Sequence, residues 1–305
     1  MQLSQYVTVA ELLAAPLGLS LRDVTPGTAL RPGQQGATQA MTYDELTALA
    51  QRASAVADVY CEQVLGATVD SEEHWTGQGL AGIDGHGNLW VQTERWPVQQ
   101  VLSFQYGLPQ TGGTVWTLAA VTDVLLAGPA RLVYPVGLPQ RGWGQQLRVS
   151  YSYVNGWPVT TLTAAVQAGA MSLPLAGATG IAAGQRLTIF DLGQSEAVTV
   201  AEGWTPVQGA ASVPLASGTL FAHTPVARPV GAGQQPYDVA VGALPADVKE
   251  AVLLIAKALL DGRGAGALVM GRSGGVSGTQ KTPVGGVQLV PEQAQEILRR
   301  YRRVV

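Results

Sequence analysis

The chain has 305 residues, room for about two domains and a sizeable core. Only 13% of them are charged, and 38 are glycine, a balance that favours turn-rich β structure and extensive protein contact over a solvated monomer surface. A net charge of -3 argues against general affinity for nucleic acid, and a single cysteine, Cys61, excludes an internal disulfide framework and fits a reducing compartment.

No basic segment followed by an apolar run opens the sequence, and the longest apolar stretch, 251–260, is broken by Lys257. The expectation is a soluble protein made in the cytoplasm, with no signal peptide and no membrane partner. In chain order, Thr8 is placed to cap a short helix over 9–15 that Pro16 ends. Residues 18–40, rich in Gly, Pro, Gln and Thr, read as a long loop or arm. Thr42 and Glu45 have capping-box spacing, and the apolar positions Leu46, Leu49, Ala50, Ala53, Val56, Ala57, Tyr60 and Val64 predict an amphipathic helix over 42–65.

Between 68 and 153 the period changes to two, as in Leu89-Trp90-Val91-Gln92-Thr93 and Leu147-Arg148-Val149-Ser150-Tyr151-Ser152-Tyr153, which predicts an antiparallel β block. Pro97 marks its strand as an edge. Residues 159–235 read as an inserted small β domain, because Ser172-Leu173-Pro174-Leu175-Ala176 is echoed by Ser212-Val213-Pro214-Leu215-Ala216. The clearest helix is predicted over 245–261, with Pro245 at its first position, Val248, Ala251, Val252, Ile255, Ala256 and Leu259 on one face, and Gly262 as its stop. A Gly- and Ser-rich stretch follows to 286, costly to order without a partner, before a last helix over 291–303. The fold class expected is therefore α+β: a helical connector core of long amphipathic helices (1–158 and 236–305) carrying the β block and the inserted β domain.

Chemistry is sparse. His74, His86 and His223 are separated from one another and from Cys61, so no metal or catalytic set is expected. His86 reads as a turn residue, His223 as a hydrogen-bonded structural histidine, and Glu72, Glu73 and His74 as a solvated polar turn. A carboxylate pair drawn from Asp70, Glu72 and Glu73 lacks the facing geometry that acid–base work needs. The run Gly262-Arg263-Gly264-Ala265-Gly266 follows a helix, whereas phosphate cradles precede one. Arg299, Arg300, Arg302 and Arg303 around Tyr301 stand out. They either complement the dipole of the final helix or contact an acidic protein surface or DNA phosphate.

Four segments carry a resemblance: Tyr60-Cys61-Glu62, then Arg95-Trp96-Pro97-Val98-Gln99-Gln100-Val101, then Val149-Ser150-Tyr151-Ser152-Tyr153-Val154-Asn155-Gly156-Trp157, and Leu244-Pro245-Ala246-Asp247-Val248-Lys249-Glu250-Ala251. Their order resembles the head-tail connector, or adaptor, proteins of tailed bacteriophages, over about half of the chain. The insert and the long β block depart from the minimal pattern. The resemblance implies a structural, non-enzymatic virion protein without catalytic residues, metal or cofactor. It would form a homo-oligomeric ring, usually of twelve copies, at the head–tail interface, with the portal protein on one side, a tail or stopper protein on the other, and DNA passing through the lumen. It also implies a portal-directed terminal segment, giving Arg299, Arg300, Tyr301, Arg302 and Arg303 a partner. The competing readings are another tail or baseplate protein, and a carbohydrate-binding surface protein using Trp75, Trp90, Trp116 or Trp143.

Overall fold

The computed structural model describes residues 5–15, 43–110, 113–135, 137, 146–191, 193–225, 239–269 and 290–303. Antiparallel sheet dominates, with 37% strand against 23% helix. The expected helical connector core is thereby overturned. Its helices form one layer, and two of the three hydrophobic cores are built from strands.

The helical layer comprises α1 (Val9–Ala14), α2 (Tyr43–Cys61), α3 (Ala246–Val269) and α4 (Glu292–Leu298). Thr8 caps α1 by accepting from the Glu11 N–H, and the Glu11 carboxylate returns a bond to the Thr8 backbone, so two orphan donors are satisfied. Thr42 lies outside the described residues. Leu46, Leu49, Ala53 and Ala57 of α2 meet Val248, Val252 and Ile255 of α3 and Ala294 and Leu298 of α4 in one buried core. α2 stops earlier than its apolar pattern predicts. Glu62 takes a left-handed φ of 57°, and Asp58 captures the Leu65 N–H at 3.0 Å. α3 instead outruns its predicted stop, continuing through Gly262, Gly264 and Gly266. Each glycine costs a helix about 1 kcal/mol but forbids nothing, and no proline follows to end it there. α4 is shorter than predicted and passes into a 3-10 turn, Arg299–Tyr301.

The second core is a β sandwich. One sheet runs β1 (Thr68–Trp75), β8 (Arg148–Asn155), β4 (Val98–Gln110), β5 (Gly113–Leu118), and the facing sheet runs β2 (Ala81–Ile83), β3 (Leu89–Gln92), β7 (Arg131–Tyr134), β6 (Leu125–Gly128). Phe104, Val149 and Tyr151 of the first sheet pack on Leu89, Val91 and Leu132 of the second. β4 lies between β8 and β5, so the edge position expected from Pro97 is corrected. Pro97 sits one residue before the ladder, where its missing N–H costs no sheet bond, and its carbonyl accepts from Gly156.

The third unit contains β9 (Val159–Thr161), β10 (Ser172–Leu175), β11 (Arg186–Phe190), β12 (Glu196–Thr199), β13 (Ala211–Pro214) and β14 (Ala240–Gly242). The sequence echo becomes a local two-fold here. β10 and β13 pair with Leu173 opposite Val213, while Ser172 faces Pro214 and Pro174 faces Ser212. The flanking bonds repeat the relation, Ala176 N–H to the Thr161 carbonyl at 3.0 Å and Ala216 N–H to the Thr199 carbonyl at 2.8 Å. In the sheet β12-β11-β14-β9 the same operation exchanges the two outer strands and the two inner ones.

Candidate partner-binding site

The four segments quoted for the resemblance, far apart in sequence, converge around Tyr301. The end of α2 supplies Tyr60, Cys61, Glu62 and the buried Gln63. The loop before β4 supplies Glu94 and Trp96, the turn after β8 supplies Trp157, and the first turn of α3 supplies Asp247. The Tyr301 ring stacks on Trp96 (5.9 Å between centroids, 16°) and meets Trp157 edge-on at 5.4 Å. Its hydroxyl donates to Asp247, both oxygens lying at 2.8 Å. Burial, and then the bond to that carboxylate, push the phenol up to about 12.

The backbone of the segment is held as closely. Gln63 donates to the Tyr301 carbonyl at 2.6 Å while accepting from the Trp96 N–H at 3.1 Å. The Trp96 indole donates to the Arg302 carbonyl at 3.0 Å, and the Arg303 N–H donates to the Cys61 carbonyl at 2.8 Å. Arg302 pairs with Glu62 and lies over the Tyr60 ring, and Arg303 pairs with Glu94, leaving its buried Nε without a partner. Tyr301, Arg302 and Arg303 are therefore held within a single chain, where the resemblance implies a portal-directed segment. Arg299 and Arg300 are exposed. Cys61 is buried, and desolvation with the nearby Asp58 pushes its thiol up to about 12, so it is no nucleophile at neutral pH.

Glu72 and His74 lie in β1, not in a solvated turn. Alternation puts Thr68, Asp70, Glu72 and His74 on one face of the strand, opposite Tyr151, Tyr153 and Asn155 of β8. Glu72 accepts from Tyr151 (2.6 Å), from Tyr153 and from the Glu94 N–H, with His74 Nε2 at 3.0 Å. Burial first, and the Glu72 charge and hydrogen bond with it, push both phenols far above their usual range. Asp70 is taken up by Arg95 at 2.6 Å and by Asn155, and Glu73, on the other face, by Arg148. With every carboxylate engaged by protein donors, this face reads as a polar core. His223 is fully buried, with Nδ1 3.0 Å from Asp191 and Nε2 2.8 Å from Glu196. Burial raises Glu196, but the Leu220 N–H, the His223 ring and the Phe221 N–H outweigh it and hold the carboxyl below its usual range. His86 is an exposed turn residue whose N–H donates to Asp84.

The tryptophans are engaged as well. Across the first sheet Trp75, Arg148, Gly107 and Trp116 form one row. Gly107 has no side chain, so the Arg148 guanidinium reaches over it and lies 5.3 Å from the Trp75 ring centroid and 5.6 Å from that of Trp116. Trp90 covers Gly82, where a Cβ would come within 2.8 Å of the indole, and has Arg131 at 5.0 Å. Trp143 lies outside the described residues. Among the described residues no group of three or more His, Cys, Asp or Glu is placed to hold a metal ion, and no helix is long and apolar enough to cross a membrane. Compared with known proteins, the chain matches no family model and no curated protein.

Proposed function

We propose that the chain is a structural virion protein of a tailed bacteriophage, an adaptor subunit that forms a ring between the portal vertex and the tail and surrounds the DNA channel. The observation that carries the proposal is the convergence at Tyr301. Segments 60–62, 95–101, 149–157 and 244–251, which bear the resemblance, each supply at least one residue, with Gln63 and Glu94 beside them, to one junction that fastens the helical layer to the β sandwich. A junction of this kind gives a subunit a fixed shape, which a ring of repeated contacts needs.

Exposed apolar side chains add support. Among the described residues β5 and β6 are both edge strands, joined through the 3-10 turn Val121–Asp123, and they carry Val115, Leu118, Leu125 and Leu126 in the open, Leu118 at 76% exposure. Bare sheet edges with apolar side chains are contact surfaces in proteins that assemble. Arg299 and Arg300, both exposed, offer positive charge to an acidic portal surface or to passing DNA. The carbohydrate reading gains no support from Trp75, Trp90 and Trp116, whose faces already serve Arg148, Arg131 and Gly82. Sedimentation of purified chain with the portal protein of the same genome tests the proposal. Co-migration in a complex larger than the portal alone is expected, and two independent boundaries would reject it.

A further inference from the structure

The β sandwich has two open flanks, and each presents one edge of both sheets. On one flank lie β5 and β6, joined through 119–124, and on the other β1 and β2, joined through 76–80; among the described residues no strand pairs outside them. The first flank lacks the devices that keep sheet edges apart. β5, Gly-Thr-Val-Trp-Thr-Leu, and β6, Leu-Leu-Ala-Gly, hold no charged residue and no proline, and β5 pairs with β4 without a bulge. Both sheets are antiparallel throughout and have four strands, an even number. β5 therefore runs opposite to β1, and β6 opposite to β2. A second copy set beside the first by rotation, as in a ring, brings its β1 to β5 in the antiparallel sense.

The two edges also agree in phase. The Ala119 N–H donates to the Phe104 carbonyl across β4 and β5, and the Thr76 N–H to the Leu147 carbonyl across β1 and β8. By the alternation of an antiparallel ladder, the backbone groups of Thr114, Trp116 and Leu118 then point away from β4, and those of Val69, Ser71 and Glu73 away from β8. The side chains of these six residues share one face of the sheet, that of the row from Trp75 to Trp116. Setting Leu118 opposite Val69 puts Trp116 opposite Ser71 and Thr114 opposite Glu73, and every residue of β5 then falls on β1. The same register joins the exposed apolar side chains that the two edges carry on this face, Leu118 and Val69, the latter at 44% exposure. The acids of β1 do not oppose it: Asp70 is taken up by Arg95, Glu72 by Tyr151 and Tyr153, and Glu73 by Arg148. We infer that β5 of each copy pairs with β1 of the next, Leu118 lying against the next copy's Val69, so that the first sheet continues from subunit to subunit. The contact rests on the ring proposed above and supplies its subunit interface.

The test uses the full chain carrying Val69→Cys and Leu118→Cys together, and each alone. The proteins are assembled with the portal, imaged, oxidised and run under denaturing, non-reducing conditions. Opposed Cα atoms in such a pair lie about 5.5 Å apart, within disulfide range, and the native Cys61 is buried. The double variant is expected to give a ladder of covalent multimers, each single variant monomer only, and an equal mixture of the singles dimers only. Dimers from Leu118→Cys alone would mean that β5 pairs with itself and would overturn the inference. Rings without a ladder would overturn it too and leave the adaptor proposal standing, whereas a chain that stays monomeric beside the portal would overturn both. Should the cysteine variants not fold, Leu118→Pro is the second test. Its missing N–H lies on the outward edge and costs no bond to β4. Loss of rings with an unchanged circular dichroism spectrum supports the contact, and rings at the native yield would overturn it.

Discussion

Tyr301 donates its phenolic hydrogen to Asp247, both carboxylate oxygens lying 2.8 Å away, so a residue near the end of the described chain fastens the first turn of α3. Tyr301→Phe keeps the stack on Trp96 and removes only this charge-assisted bond. We expect a loss of about 1.5–3 kcal/mol in unfolding free energy, read from urea denaturation. A change within error would show that Asp247 is satisfied by solvent.

Asp58 accepts from Tyr6 at 2.6 Å and from the Leu65 N–H at 3.0 Å. Burial nevertheless wins over both bonds and raises its carboxyl from 3.8 to about 6. The folded chain therefore keeps a proton that the unfolded chain gives up near 3.8, so stability from this group falls as pH rises from about 4 to about 6 and is level above. The fall is on the order of 3 kcal/mol. Asp58→Asn should remove that slope, and denaturation of both forms between pH 4 and 7 measures it. Parallel curves would contradict the assignment.

Gly107→Ala would place a Cβ 2.3 Å from the Val115 carbonyl oxygen and 2.8 Å from the Thr114 methyl. The clash is with β5 backbone, which cannot step aside without losing its pairing to β4. A loss of about 3 kcal/mol, the upper end of overpacking, is expected in thermal or urea unfolding. Weakened tryptophan signals should accompany it as Arg148 leaves its place between Trp75 and Trp116.

Glu196→Gln leaves one amide oxygen where two carboxylate oxygens now receive the Leu220 N–H at 2.8 Å, the Phe221 N–H at 3.1 Å and the His223 ring. Removing one member of a buried charged set costs about 3–5 kcal/mol, and amide exchange at Leu220 and Phe221 should accelerate first. Because the folded Glu196 carboxyl lies below its unfolded value of 4.5, its stabilisation is full above that value and is lost as pH falls further. The gap between native and variant chains should narrow in acid.

Local signals were legible in the sequence, and distant pairings were not. The cap at Thr8 depends on Glu11, three residues away, and period two marks the strand around Tyr151. Glu72 looks like a solvated charge because the phenols that bury it belong to residues 79 and 81 positions later. Glu62 and Arg302 are 240 residues apart, so nothing near the arginines reveals that two of them are already paired. The long helices drew the fold class toward a helical core because a 3.6-residue period over nineteen or more residues is a strong signal. Strands such as β2, β9 and β14, of three residues each, are too short to show any period, and together with their neighbours they make β structure the larger part.

The measurement that bears most directly on the central claim is the mass and shape of the purified chain, alone and with its portal protein, by light scattering and negative-stain imaging. The adaptor proposal predicts rings, formed spontaneously or on the portal. A stable monomer that ignores the portal under all assembly conditions would contradict it.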